Sequence, residues 1–206
     1  MAGLRSYGDP CGIARALDLV GERWALLIVR ELVLGPKRFT DLKRALEDAS
    51  PNVLSQRLDE LETGGVVQRS QVGPANYALT PYGEKLHPLL VQLGAWGAQS
   101  TARPKGQLSL DALVVALEST WQGRDLTGTI ALDVEGVGCQ VELRGRGLEV
   151  RRGEPKRPDA RLITDRSNLR ATVFGDPSAK PIVIEGDRRL AKRFLASFAR
   201  PAQAVR

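Results

Sequence analysis

Between Ser50 and Arg57 the chain reads SPNVLSQR, and several of these side chains suit the edge of a base pair. The amides of Asn52 and Gln56 match the donor–acceptor pattern of adenine, the Val53 methyls fit a thymine methyl, and Arg57 suits guanine or phosphate. Ser50 and Ser55 add hydroxyls to the same stretch. Just upstream, Lys37, Arg38, Lys43 and Arg44 are opposed in that interval only by Asp41, and local clusters of this kind grip phosphates. Lys37, Arg38 and Thr40 are therefore candidate backbone contacts, and Arg69, Gln71 and Asn76 are candidates further along. Chemistry of other kinds is poorly supplied. The single histidine, His87, leaves a triad or His-based metal site unfurnished, and Cys11 and Cys139 fit no metal or redox spacing. No nucleophile–base pair or phosphate loop is present, so the expectation is a non-enzyme with no metal or cofactor.

The elements that must position these residues have clear punctuation. Cys11–Val20 carries Ile13, Ala14, Leu17 and Val20 at helical spacing, and Glu22–Leu34 places Trp24, Leu27, Ile28 and Leu32 on one face. Gly35-Pro36 stops that helix. Thr40, as a hydroxyl cap with Asp41 in the first turn, predicts a helix to about Glu47. After the turn at Asp48-Ala49, Ser50 caps and Pro51 opens a further helix that buries Leu54, Leu58 and Leu61 and ends at Gly64-Gly65. Asn52, Val53, Ser55, Gln56 and Arg57 are left on or near its outer face. Val66–Arg69 and Ala75–Leu79 read as a hairpin around Gly73-Pro74. Thr80-Pro81 repeats the cap-then-proline signal and predicts a helix to about Gln99, striped by Leu86, Leu89, Leu90, Leu93 and Trp96. The order is that of a winged helix-turn-helix. The stripe reads as a dimer interface joined by the first helix, with packing against the second half as the other use that fits.

Residues 9–98 resemble the HxlR-type family of bacterial winged-helix transcription regulators. The resemblance rests on CGIARALDLVGERWALLIVRELVLGPKRFTDLKRAL, SPNVLSQRLDELETGGVVQR, YALTPYGEKL and a helix ending in AWG. It implies a homodimer on a pseudo-palindromic double-stranded operator, with two recognition helices about one helical turn apart. Some members sense quinones, aldehydes or oxidants through a leading cysteine, and Cys11 matches that position. A small buried thiol at the dimer interface is the other role open to it. Gly12 departs from the family's usual Pro.

The second half changes character. Residues 101–107 read as a linker, and 108–206 as a separate domain following a first domain over 1–100. Leu108–Trp121 has helical spacing, and then the period drops to two. Thr129–Val134, Cys139–Arg144 and Leu148–Arg151 read as successive antiparallel strands, and Ala160–Thr164 as a fourth. A helix from Asp165 to Phe174, a strand over Pro181–Glu185 and a helix over Arg188–Phe198 complete an α+β fold with an antiparallel sheet. DARLITDRSNLRATVFG and IVIEGDRRLAKRFLASF resemble the sterol-carrier-type lipid-binding fold. That resemblance implies an apolar tunnel for a hydrophobic small molecule, with Trp121, Phe174, Phe194 and Phe198 as candidate lining; packing is the other use of such side chains.

Charge divides unevenly. The net +6 lies wholly in residues 101–206, because residues 1–100 hold eleven Lys/Arg and eleven Asp/Glu. No apolar run reaches membrane-spanning length and no secretion signal opens the chain, so a cytoplasmic protein is expected. Taken together, the expectation is a sequence-specific DNA-binding regulator, a repressor, controlled by a hydrophobic effector. The alternative is a drug- or lipid-sequestering protein with vestigial DNA binding.

Overall fold

The computed structural model describes residues 6–69, 76–100 and 106–199. The chain divides into two compact units, Met1–Leu90 and Val91–Arg206. The division falls inside a helix, ahead of the expected linker, most of which lies outside the described residues.

The first unit opens with α1 (Gly12–Val20) and α2 (Ala25–Leu32). β1 (Lys37–Arg38), α3 (Phe39–Ala45), α4 (Pro51–Thr63), β2 (Val67–Arg69), β3 (Asn76–Leu79) and the short α5 (Pro81–Glu84) follow. Its core gathers Ile28, Val29 and Leu32 from α2 with Leu42, Leu54, Leu58 and Leu61 from α3 and α4, all essentially closed to solvent. Leu54, Leu58 and Leu61 recur at the spacing that keeps one face of α4 inward. Ser50 caps α4 by accepting from the Val53 amide, with Pro51 at N1, as its sequence predicts.

Several boundaries differ from expectation for physical reasons. Thr40 does not cap α3. The helix starts two residues earlier, with Arg38 in extended conformation at the cap and no side-chain cap bond, because Lys37 and Arg38 are held as a strand against β3. Trp24 is not on a buried helix face; it sits half-buried at the cap of α2 with a left-handed backbone (φ 80°), under the Arg23 guanidinium. Leu27 is exposed. The helix expected from Thr80 to Gln99 is two pieces, α5 and α6 (His87–Gly97). Pro88 has no N–H to offer the carbonyl four residues back, so the chain breaks at Lys85-Leu86. At α5, a Cβ on Gly83 would lie 2.1 Å from the Val66 carbonyl oxygen, so only glycine lets this turn rest against the residue that leads into β2.

The second unit holds α7 (Leu110–Thr120), β4 (Leu126–Val134), β5 (Val137–Gly145), β6 (Gly147–Arg152), β7 (Ala160–Thr164), α8 (Arg166–Phe174), β8 (Val183–Gly186) and α9 (Arg188–Leu195). The sheet order is β6-β5-β4-β7-β8. The expected antiparallel sheet needs one correction: β4 and β7 are parallel. β4 and β6 already point the same way, and residues 153–159 carry the chain across to the far side of β4 without reversing it. Gly138 makes room for that crossing, since a Cβ there would lie 2.7 Å from the Glu154 side chain.

Alternation sorts the sheet into two faces. Ile130, Leu132, Cys139, Val141, Leu143, Val150 and Leu162 are buried, whereas Thr127, Arg144, Arg151, Ile163 and Glu185 are exposed. α9 lies against β4, β7 and β8, and α7 against β6 and α8. The helices are capped by side chains: Ser109 for α7, Asp165 for α8 and Asp187 for α9. α9 ends at Leu195, short of the expected Phe198, which instead bridges back to Trp121. No helix among the described residues is long and apolar enough to cross a membrane.

Candidate nucleic-acid interface

The N-terminal half of α4 presents Asn52, Ser55 and Gln56 to solvent, with Val53 half-buried beside them. Gln56 donates to Glu60 at 3.0 Å, which holds its amide on the helix surface with its oxygen still free to accept. Ser50 is exposed but already spends its hydroxyl oxygen on the Val53 amide at 3.3 Å.

Arg57 does not belong to this outward set. Its side chain is 13% exposed and pairs with Glu60 and, at 3.7 Å, with Glu22 in the turn between α1 and α2. One step of a helix rotates a side chain by about 100°. That step takes position 57 from the outer face to the flank, where the carboxylates hold it. Lys37 is likewise engaged. Glu31, fully buried on α2, pairs with Lys37 at 3.0 Å and with Arg30 at 2.8 Å. This carboxylate escaped the sequence reading. Its signal was its position three residues after Ile28, on the buried stripe of α2.

The three-stranded sheet β1-β3-β2 explains which wing residues face outward. Lys37 and Arg69 both lie opposite Tyr77, which is buried; Arg38 lies opposite Asn76, and Gln68 opposite Ala78. Strand alternation therefore puts Lys37, Tyr77 and Arg69 on one face and Arg38, Asn76 and Gln68 on the other. Arg69 lies 5.5 Å from the centre of the Tyr77 ring and pairs with Asp59 at 2.6 Å and Glu62 at 3.0 Å. Tyr77, then Glu62 and Asp59, raise its pKa further above the ordinary guanidinium value, so it stays charged. Asp59 and Gln68 are site residues that sequence reasoning missed, although Asp59 falls three residues after Gln56 on the same helix face. Thr40 is exposed in the first turn of α3. Gln71 lies outside the described residues.

The HxlR-like helix-turn-helix family pattern matches residues 19–105. The HTH-type transcriptional regulator YvaP of Bacillus subtilis is 38% identical over 89 residues, covering 41% of this chain and 82% of YvaP. The chain belongs to the HxlR-like family. A second relative, the regulator Rv3095 of Mycobacterium tuberculosis, is 42% identical over 98 residues, or 46% of this chain and 61% of its own. Among solved structures, quinone-bound YodB from B. subtilis is 35% identical, covers 43% of this chain and 97% of its own, and superposes with a TM-score of 0.39. This HxlR-like chain is thus a DNA-binding transcription regulator of the helix-turn-helix type, and the match is carried by the segment that builds α2 to α6.

The remaining expected site residues lie in the HxlR-like regulator's two units as follows. Cys11 is exposed at the start of α1, its backbone amide bonded to the Asp9 carboxylate at 2.8 Å. Cys139 is buried in β5, and burial pushes its thiol pKa up. Trp121, Phe194 and Phe198 form one aromatic cluster, with ring centres 5.1–6.2 Å apart. The Trp121 indole N–H donates to the Arg146 carbonyl at 2.8 Å. Phe194 and Phe198 are buried within this packing; Phe174, at the end of α8, is half-buried and makes no ring contact with them.

Proposed function

We propose that the chain is a dimeric, sequence-specific repressor whose α4 reads a major groove through Asn52, Val53, Ser55 and Gln56. Arg38, Thr40, Asn76 and Gln68 hold the backbone beside it, while Lys37, Arg57 and Arg69 fix the elements that carry the readers. The observation that carries this reading is the outward row Asn52–Ser55–Gln56 on a capped, thirteen-residue helix whose opposite face is locked into the core. Both amides can make the bidentate pairing that distinguishes adenine. Ser50 and Gln71 remain proposed backbone contacts.

Dimerisation is proposed through α1 and α6. Ile13 and Trp96 are each 72% exposed, and Leu17, Leu89 and Leu93 are also exposed, although they lie at the helical spacings that ordinarily face a core. A second copy is the partner proposed to cover them. Selection of binding sites from a random duplex library tests the whole reading. A two-fold repeat with half-sites about one helical turn apart is expected, and recovery of unrelated sequences would remove it.

In the second unit, a sheet covered on one face by helices supports the proposed sterol-carrier-type architecture and a hydrophobic effector. Trp121 and Phe174, which keep exposed surface, are proposed at the entrance, with Phe194 and Phe198 behind as a packed wall. An effector acts on DNA affinity only to the extent that it binds the DNA-competent and incompetent states unequally. Cys11 is proposed as an oxidant- or quinone-responsive thiol: loss of the response in Cys11→Ser is expected, and a retained response assigns it a structural role. One observation favours the rival sequestering role, namely that Lys37, Arg57 and Arg69 are already paired within the fold. Absence of DNA binding at low salt, together with tight binding of a hydrophobic probe, would establish that rival.

A further inference from the structure

The outer face of α9 carries Arg188, Arg189, Lys192 and Arg193, all exposed, while Leu190, Ala191 and Phe194 on the opposite face are buried. Among the described residues no ion pair ties any of the four to an acid. Arg193 donates to the Asp125 carbonyl at 3.1 Å, which leaves its charge uncompensated. The neighbouring acids are occupied by backbone amides: Asp187 accepts from Arg189 and Leu190 as the helix cap, and Asp159 accepts from Thr129. Glu185 lies toward Arg161 at 3.9 Å.

Part of this arrangement works against the helix that bears it. Arg188 and Arg189 occupy the first turn, where the helix dipole disfavours positive charge. Arg188 with Lys192 and Arg189 with Arg193 are like-charge pairs four residues apart, which also destabilise a helix. A stripe kept only for solubility would gain from acids at Arg188 and Arg189, whereas Lys192 and Arg193, in the last turn, suit the dipole. The stripe also complements a shortage elsewhere. In the winged helix, Arg30, Lys37, Arg44, Arg57 and Arg69 are all paired with carboxylates, and residues 1–100 have no net charge. Binding to duplex DNA draws most of its sequence-independent affinity from cations that displace counterions.

We propose that the outer face of α9 is a second phosphate-gripping surface, which engages the backbone of the duplex in addition to the winged helix. This rests on the DNA-binding reading above. Its role is affinity without sequence preference, because Arg and Lys side chains on phosphates carry no base information.

The test compares the full chain with its Arg188→Gln/Arg189→Gln/Lys192→Gln variant on a random-sequence 40-base-pair duplex, using fluorescence anisotropy between about 50 and 200 mM KCl, a range over which phosphate contacts weaken steeply. Each lost contact should flatten the plot of log affinity against log salt by about 0.9. For one engaged α9, the unaltered chain should therefore lose about 40-fold more affinity than the variant over that range. Arg188→Lys/Arg189→Lys should keep the steep slope, since charge and not shape carries the contact. A thermal midpoint for the glutamine variant no lower than that of the unaltered chain separates lost contacts from lost folding. If the unaltered chain binds DNA and the variant has the same slope, the proposal falls and the winged-helix reading stands. If the unaltered chain binds no DNA, both fall. If the substitutions abolish binding to phosphatidylserine vesicles and leave the DNA slope unchanged, α9 is a membrane surface and the proposal is overturned.

Discussion

At the scale of single residues, the two halves of the candidate interface do different work. Asn52, Ser55 and Gln56 face solvent, whereas Arg57 and Lys37 are held against carboxylates of their own chain. Removing Glu31 would take away the buried carboxylate that Arg30 and Lys37 share. Glu31→Ala should cost about 3 kcal/mol, the low end for a broken buried pair because both cations keep some access to water; urea unfolding measures it. The two thiols should also separate. Cys11 is exposed, and burial keeps Cys139 protonated and out of reach. A thiol reagent at neutral pH should label one cysteine in the folded chain and two after unfolding, since only an accessible thiolate reacts. What could be read from the sequence at this scale was residue type and rough face. SPNVLSQR disclosed a groove-suited set, but the one-residue difference between Gln56 and Arg57 became visible only when Glu22 and Glu60 were seen beside the arginine. Those partners come from the turn before α2 and from the helix itself, and apolar spacing does not report them.

At the scale of elements, caps and prolines were the legible signals. Ser50-Pro51, Thr80-Pro81, Asp165 and Asp187 each start a helix where their chemistry predicts. Less legible was anything decided by a distant strand. β1 is only two residues long and exists because β3 pairs with it; that pairing moves the start of α3 and sets which wing residues turn outward. The parallel β4–β7 pair is similar, because a coil crossing of seven residues carries no mark of strand direction, whereas the Gly-containing hairpins before it do. α5 offers a sharp test. Gly83→Ala should destabilise the first unit by about 1–3 kcal/mol, since the Val66 carbonyl must move to admit a methyl group. A thermal midpoint unchanged by Gly83→Ala would show that α5 does not rest on Val66 as described.

At the scale of the whole molecule, the sequence separated a winged helix with no net charge from a basic α+β unit. The wing tip and most of the linker lie outside the described residues. The exposed apolar side chains on α1 and α6 set a prediction about assembly. Leu93→Asp places a charge in the proposed seam and should convert dimers to monomers in sedimentation velocity; an unchanged sedimentation coefficient would move the seam elsewhere. Because an operator with two half-sites engages two α4 helices at once, the same variant should also bind a single half-site about as well as the unaltered chain and lose most of its gain on the paired site.

The central claim is that the outward face of α4 reads bases. The most direct measurement is the affinity of Gln56→Ala, set beside the unaltered chain, for the selected operator and for a scrambled duplex of equal length at one salt concentration. Loss of about 1–3 kcal/mol on the operator, relaxed preference at one base pair and no change on the scrambled duplex are expected. An equal loss on both duplexes, or none on either, would contradict base reading by this face.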